Sequence, residues 1–188
     1  MPTTAVTATE AVKGLPSKEE VASKLLTLSD MPTGWTTSGS SSDSSNTSTL
    51  CGSSNDSGIS QVKAEADFKK GELGPYATEI LAAFKSGDAE AWMKQFKAKF
   101  TCSEDTEISD GTPTTFHYSA LSFPNLGDET FAIRMTTDAG ILGEADVDVV
   151  YVRVGNDVLS VLNIGIRSVD SDLTQTLTQK AVDRVRGK

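Results

Sequence analysis

The sequence predicts an α+β fold: one antiparallel sheet of about six strands, in the order α-ββ-α-ββββ-α, with helices packed on one face. Three observations lead there. Apolar and polar residues alternate with a period of two in six segments, three other segments carry apolar residues at three- and four-residue steps, and the later strands follow one another on short turns. The 188 residues are 37% hydrophobic and 23% charged, an ordinary soluble composition in which a single domain buries roughly 70% of its unfolded surface.

Residues 1–16, MPTTAVTATEAVKGLP, show no period and read as a flexible tether, leaving 17–188 as one domain. The first helix starts at Ser17-Lys18-Glu19-Glu20, a capping-box pattern, with Val21, Leu25 and Leu28 on one face and Met31-Pro32 and Gly34 ending it. Trp35 follows, placed either to close an edge of the core or to line a ligand cleft. From Thr36 to Ser57, 14 of 22 residues are Ser or Thr, too few apolar groups to offset ordering entropy, so 36–58 reads as a mobile surface loop. Two Asn-x-Ser/Thr sites, Asn46-Thr47-Ser48 and Asn55-Asp56-Ser57, fall within it, as chance allows in so Ser-rich a tract.

Val62, Ala64, Ala66 and Phe68 then alternate with polar neighbours, Lys70 to Pro75 turns the chain, and Tyr76 to Phe84 returns as the second strand of a hairpin. Ala89, Trp92, Met93, Phe96 and Phe100 form the apolar face of a helix, the aromatics being core material. Strands are expected at Thr114 to Phe123, around Phe131 to Met135, at Ala145 to Val154, and at Val158 to Ile166, the last two joined by the tight turn Gly155-Asn156-Asp157. Leu173, Leu177, Ala181, Val182 and Val185 give the closing helix its stripe, with Ser171 or Asp170 as the cap.

Two cysteines are too few for a thiolate metal site, and the lone His117 completes none, so no metal or cofactor is expected. A Cys51–Cys102 disulfide would tie the Ser/Thr-rich loop to the end of the amphipathic helix and implies an oxidising compartment; two unpaired cysteines in a cytosolic protein is the competing reading. Nucleophile-elbow, phosphate-loop, dinucleotide-loop and zinc-protease motifs are absent, so no enzyme is read here. With 17 Lys and Arg against 26 Asp and Glu, a net charge of −9 and no basic cluster, nucleic acid is excluded as a partner. There is no run of 18 apolar residues to span a membrane, and no signal peptide is visible.

Taken together in order and spacing, Leu25-Leu26-Thr27-Leu28-Ser29-Asp30-Met31-Pro32-Thr33-Gly34-Trp35, then Cys51, Phe68, Gly71-Glu72-Leu73-Gly74-Pro75, Cys102, Leu121 to Glu129, and Val149 to Gly155 form a recognisable series. The sequence over residues 20 to 185 resembles the PknH-like family of actinobacterial extracytoplasmic sensor-like domains and lipoproteins. That resemblance implies an α+β sensor-like domain outside the cytoplasmic membrane, with a cleft for a ligand and no catalytic residues to transfer. Kinase-linked members carry a second cysteine pair that this sequence lacks, and no kinase or membrane segment accompanies it, which implies a cell-envelope lipoprotein or a secreted protein. On that reading the signal segment, with any lipid-bearing cysteine, is not part of these residues.

The function expected is non-enzymatic ligand binding or sensing in the cell envelope, with a small-molecule or lipid-like ligand held between sheet and helices. The alternative is an envelope protein-protein interaction module without a pocket. Alternation places the candidate ligand-binding residues on the polar sheet face: His117 and Arg134, the latter a basic residue among apolar strand positions, with Trp35 beside them.

Overall fold

The computed structural model describes residues 14–38, 49–51, 53–54, 58–109, 112–138 and 140–188. The tether before Gly14, most of the Ser/Thr-rich tract and both Asn-x-Ser/Thr sites lie outside the described residues. Three helices are seen there, α1 (Lys18–Ala22), α2 (Asp88–Lys99) and α3 (Ser171–Val185). The strands are β1 (Thr36–Thr37), β2 (Thr49–Leu50), β3 (Ser53–Ser54), β4 (Gln61–Lys69), β5 (Tyr76–Phe84), β6 (Glu104–Ser109), β7 (Thr112–Ala120), β8 (Glu129–Asp138), β9 (Glu144–Val154) and β10 (Asp157–Ile166). Among the described residues, eight of these form one antiparallel sheet in the order β1-β4-β5-β10-β9-β8-β7-β6, and β2 pairs with β3 apart from it.

The sheet therefore has eight strands rather than about six. Both additions are edges. In β1, Thr36 and Thr37 pair with Lys69 and Phe68 inside the tract expected to be loop, and the acidic β6 pairs with β7. An edge strand needs only backbone hydrogen bonds on one side and water on its faces, so neither segment carries the apolar alternation by which the other six are recognised.

At the first helix, the Ser17 hydroxyl accepts from the Glu20 N–H at 3.2 Å and the Glu20 carboxylate accepts from the Ser17 N–H at 2.7 Å, the reciprocal pair the sequence predicts. The helix is shorter than its apolar spacing implies. Thr27 gives both its N–H and its hydroxyl to the Asp30 carboxylate, starting a new 3-10 turn over Leu28–Asp30. This resets the helical phase, so Leu25 and Leu26 are buried while Leu28 faces water.

Helices cover both faces of the sheet, not one. Val21, Leu25, Leu26, Met31 and Trp35 join Leu177, Ala181 and Val182 of α3 over Ala64, Phe68, Leu81, Val150, Val152, Leu159 and Val161. The opposite side chains, Ala82, Phe84 and Val158, meet Ala89 and Met93 of α2. Between them Trp92, Phe96, Phe131 and Tyr151 form an aromatic cluster with ring centroids 4.4–6.5 Å apart. The reason is visible in the strands: Ile80-Leu81-Ala82-Ala83-Phe84 and Val149 to Val152 are apolar on both faces, as a sheet sandwiched between helices requires. At the β9–β10 turn, Val154 pairs with Asp157 across Gly155-Asn156, and Gly155 takes φ 60°, the left-handed value that favours glycine.

Candidate functional site

A cleft of about 270 Å³ opens at one end of the sheet, on the face covered by α1 and α3. Its walls are the β4–β5 turn at Leu73-Gly74-Pro75, the end of β10 at Asn163, Gly165 and Ile166, and the loop Ser168-Val169-Asp170 that enters α3. Close approach of that loop depends on Gly165, where a Cβ would lie 1.9 Å from the Ser168 carbonyl oxygen. Asp170 then caps α3, its carboxylate accepting from the Leu173 N–H at 3.0 Å.

Asn163 is the polar group built into the cleft wall. In register it stands between Ala77 of β5 and Asp148 of β9, and it is 1% exposed. Its Nδ2 donates to the Asp170 carbonyl at 2.9 Å and to Thr174 Oγ1 at 3.0 Å, which fixes the amide orientation because a carbonyl only accepts. Oδ1 is buried with no hydrogen-bond partner among the described residues. A fully buried acceptor without a partner, on a residue that lines a cleft, is an uncommon and costly arrangement.

Behind Asn163 lies a charged network that holds the start of α3. The Asp148 carboxylate, fully buried, receives Arg134 through Nε at 2.8 Å and Nη2 at 2.7 Å on Oδ1, and the hydroxyls of Ser171 at 2.9 Å and Thr174 at 3.1 Å on Oδ2. Arg134 Nη2 also donates to Ser171 Oγ at 2.7 Å. The first turn of α3 is thereby tied, through Ser171 and Thr174, to β8 and β9.

The three residues expected to bind ligand are not gathered in one place. Trp35 is buried in the core cluster beneath α1 and α3. Arg134 and His117 share a sheet face, since His117 pairs with Thr136, two residues from Arg134 on β8. The His117 side chain is 62% exposed with Nδ1 3.5 Å from Glu104 Oε2, and Arg134 is engaged by Asp148 and Ser171. None of the three lines the cleft. Cys51 and Cys102 are joined by a disulfide, Cα–Cα 5.5 Å. Asn163, Asp148 and Glu79 escaped sequence reasoning; their one signal was a polar residue at an inward position of a strand otherwise apolar on both faces. Among the described residues no three His, Cys, Asp or Glu side chains are grouped to hold a metal, and no helix is long and apolar enough to cross a membrane.

No protein-family profile matches the sequence, and no curated protein matches it. Among solved structures, the crystal structure of the extracellular domain of PknH from Mycobacterium tuberculosis matches with a TM-score of 0.66 at 16% sequence identity, covering 93% of this chain and 98% of that one. The chain has the fold of the PknH extracellular domain. At this identity the likeness is one of fold, and what fills a PknH-like scaffold is decided by its own side chains. In this PknH-like chain the start of α3 is held by the Arg134–Asp148 pair and the cleft wall by Asn163.

Proposed function

We propose that the chain is a non-enzymatic extracytoplasmic sensing domain that takes a small ligand into the cleft beside the start of α3. The observation that carries this reading is Asn163 Oδ1, a buried acceptor without a partner among the described residues, on a residue lining that cleft. The ligand it selects presents a hydrogen-bond donor, a hydroxyl or an amide N–H, while Leu73, Pro75, Ile166 and Val169 meet an apolar surface. A volume of about 270 Å³ suits a compact molecule or a single headgroup. Two facts support an extracytoplasmic setting: the fold is that of the PknH extracellular domain, and the disulfide belongs to an oxidising compartment.

The test is chemical-shift mapping on ¹⁵N-labelled protein with methyl α-glucoside and N-methylacetamide as probes. Saturable shifts at Gly74, Gly165 and the Asn163 side-chain amide, absent in Asn163→Leu, are expected for at least one of them. Failure of both to saturate at this end of the sheet overturns the pocket. A second reading, an interaction module that pairs through a sheet edge, is favoured by one feature: the edge strand β6 carries Ile108 one residue before its end, 75% exposed.

A further inference from the structure

Glu79 lies in the middle of β5, in register with Ala66 of β4 and Val161 of β10, and is 1% exposed beneath the α1 segment and α3. Nothing in the ladder calls for a carboxyl there, since Ala77, Leu81 and Ala83 fill the same face of β5. Its Oε2 accepts from the Leu26 N–H, an amide released where α1 has ended. Its Oε1 is buried and has no partner among the described residues, and the same is true of Arg184 Nε on α3. Arg184 is meanwhile held through Nη1 by Asp30 Oδ2 at 3.2 Å, and the Lys180 ammonium donates to the Asp30 carbonyl. Among the described residues the charges acting on Glu79 are Arg184 from α3 and Asp30 from the 3-10 turn, with Lys180 of α3 held at Asp30. The neighbouring strands offer Ala66 and Val161, without charge, and Lys24 is turned away to Asp157.

We infer that Glu79 is a proton-binding site whose ionisation reassigns Arg184 between Asp30 and Glu79, so that the contact between the 24–31 segment and α3 responds to external pH. With the proton bound, Oε2 serves as the carbonyl oxygen for Leu26 and the charges of Asp30 and Arg184 satisfy each other. When Oε1–H gives its proton to solvent, a full negative charge is left in apolar surroundings within the field of the Arg184 guanidinium, whose Nε–H is itself unsatisfied among the described residues. The guanidinium is then drawn toward Glu79, and Asp30 is left to Lys180 and the Thr27 donors. Burial is the main force on Glu79, opposing ionisation, while the Leu26 N–H and Arg184 favour it and Asp30 opposes it; the balance lifts the carboxyl to about 7. Around that midpoint a change of half a pH unit alters the ratio of the two states about threefold. The inference stands apart from the cleft and does not depend on what occupies it.

The experiment is an NMR titration of the full chain, labelled with ¹³C at glutamate carboxyls and ¹⁵N at arginine Nε, between pH 5 and 8.5. One glutamate titrating near 7 is expected, with the Leu26 amide and the Arg184 Nε moving at the same midpoint, and all three transitions vanishing in Glu79→Gln. Midpoints below 5.5 for every glutamate overturn the inference, as does a titration near 7 that leaves Arg184 Nε unmoved. If Glu79→Gln does not fold, Arg184→Gln decides: losing the guanidinium must raise the midpoint by about one unit, a tenfold change in proton affinity, and an unchanged midpoint overturns the role of Arg184.

Discussion

Arg134, half-buried, and the fully buried Asp148 form an ion pair that spans adjacent strands and anchors a helix. They face each other across β8 and β9 in register, and Asp148 Oδ1 receives two guanidinium nitrogens at 2.7 and 2.8 Å. The carboxylate is fully buried, so its charge is tolerable only while Arg134, Ser171 and Thr174 compensate it. Arg134→Met leaves that charge uncompensated and is expected to cost on the order of 3 kcal/mol, read from urea unfolding monitored by circular dichroism. Arg134→Met combined with Asp148→Leu should recover most of it, because both charges leave together. A double mutant as unstable as the single one would show that the pair acts by shape alone.

Acid and base act on this fold in opposite senses through two carboxyls. Glu79 is lifted by burial from its ordinary 4.5 to about 7, so the folded state binds the proton more tightly than the unfolded chain. Its stabilising contribution is complete below about 4.5 and is lost as pH rises through 7, roughly 3 kcal/mol at most by linkage. Asp30 runs the other way. Burial pushes it up, but the Thr27 N–H and hydroxyl, with Arg184 and Lys180, outweigh that and hold it below 3.8, so its contribution is present above 3.8 and fades as pH falls further. Thermal melts are therefore expected to peak near pH 4 to 4.5, to decline from there through pH 7 and to level off toward pH 8. In Glu79→Gln that decline disappears; a wild-type melt that is flat from pH 5 to 8 contradicts the assignment.

How far the sequence reveals this molecule depends on what each residue must do. Six strands are legible because each sets apolar side chains against a core, and α2 and α3 because Ala89, Met93 and Phe96, or Leu177, Ala181 and Val182, recur at helical spacing. The Ser17–Glu20 cap is legible because its chemistry is local. Edge strands such as Thr36–Thr37 are not, since backbone pairing leaves no mark on side-chain pattern. Nor is the cleft, which is assembled from a turn near Gly74, a strand end at Asn163 and a loop at Ser168 brought together only by β5 and β10 pairing. Arg134 stands out in sequence as a basic residue among apolar ones, but its partner Asp148 is 14 residues away and supplied by the register.

The Cys51–Cys102 bridge closes a separation of 51 residues and joins the β2–β3 hairpin region to the end of α2. In the chain-entropy account, closure of such a loop stabilises the fold by about 4 kcal/mol. Denatured, unreduced protein should incorporate no thiol label, and two labels after reduction. The Cys51→Ser/Cys102→Ser double variant is expected to unfold at lower urea with a steeper slope, because the unfolded chain, freed of its crosslink, exposes more surface. A shift of less than 1 kcal/mol would mean that the chain around Cys51 is already confined in the unfolded state.

Gly165 offers the sharpest test of how the cleft wall is built. It is the penultimate residue of β10 and its φ is not in the left-handed region, so alanine would suit the backbone itself. The obstacle is steric: a Cβ there would lie 1.9 Å from the Ser168 carbonyl oxygen and 2.8 Å from its carbonyl carbon, both backbone atoms that cannot swing aside. Gly165→Ala must therefore displace the Ser168-Val169-Asp170 loop, and with it the Asp170 cap and the Asp170 carbonyl to which Asn163 donates. Loss of about 2 kcal/mol or more is expected, the range of an overpacked core position. Amide exchange should quicken at Leu173, whose N–H the cap holds, while Ala89 to Phe96 of α2 on the far face stay protected until global unfolding. Uniformly faster exchange in α2 and α3 alike would show instead that the whole sheet yields, and that the loop is not a separate unit.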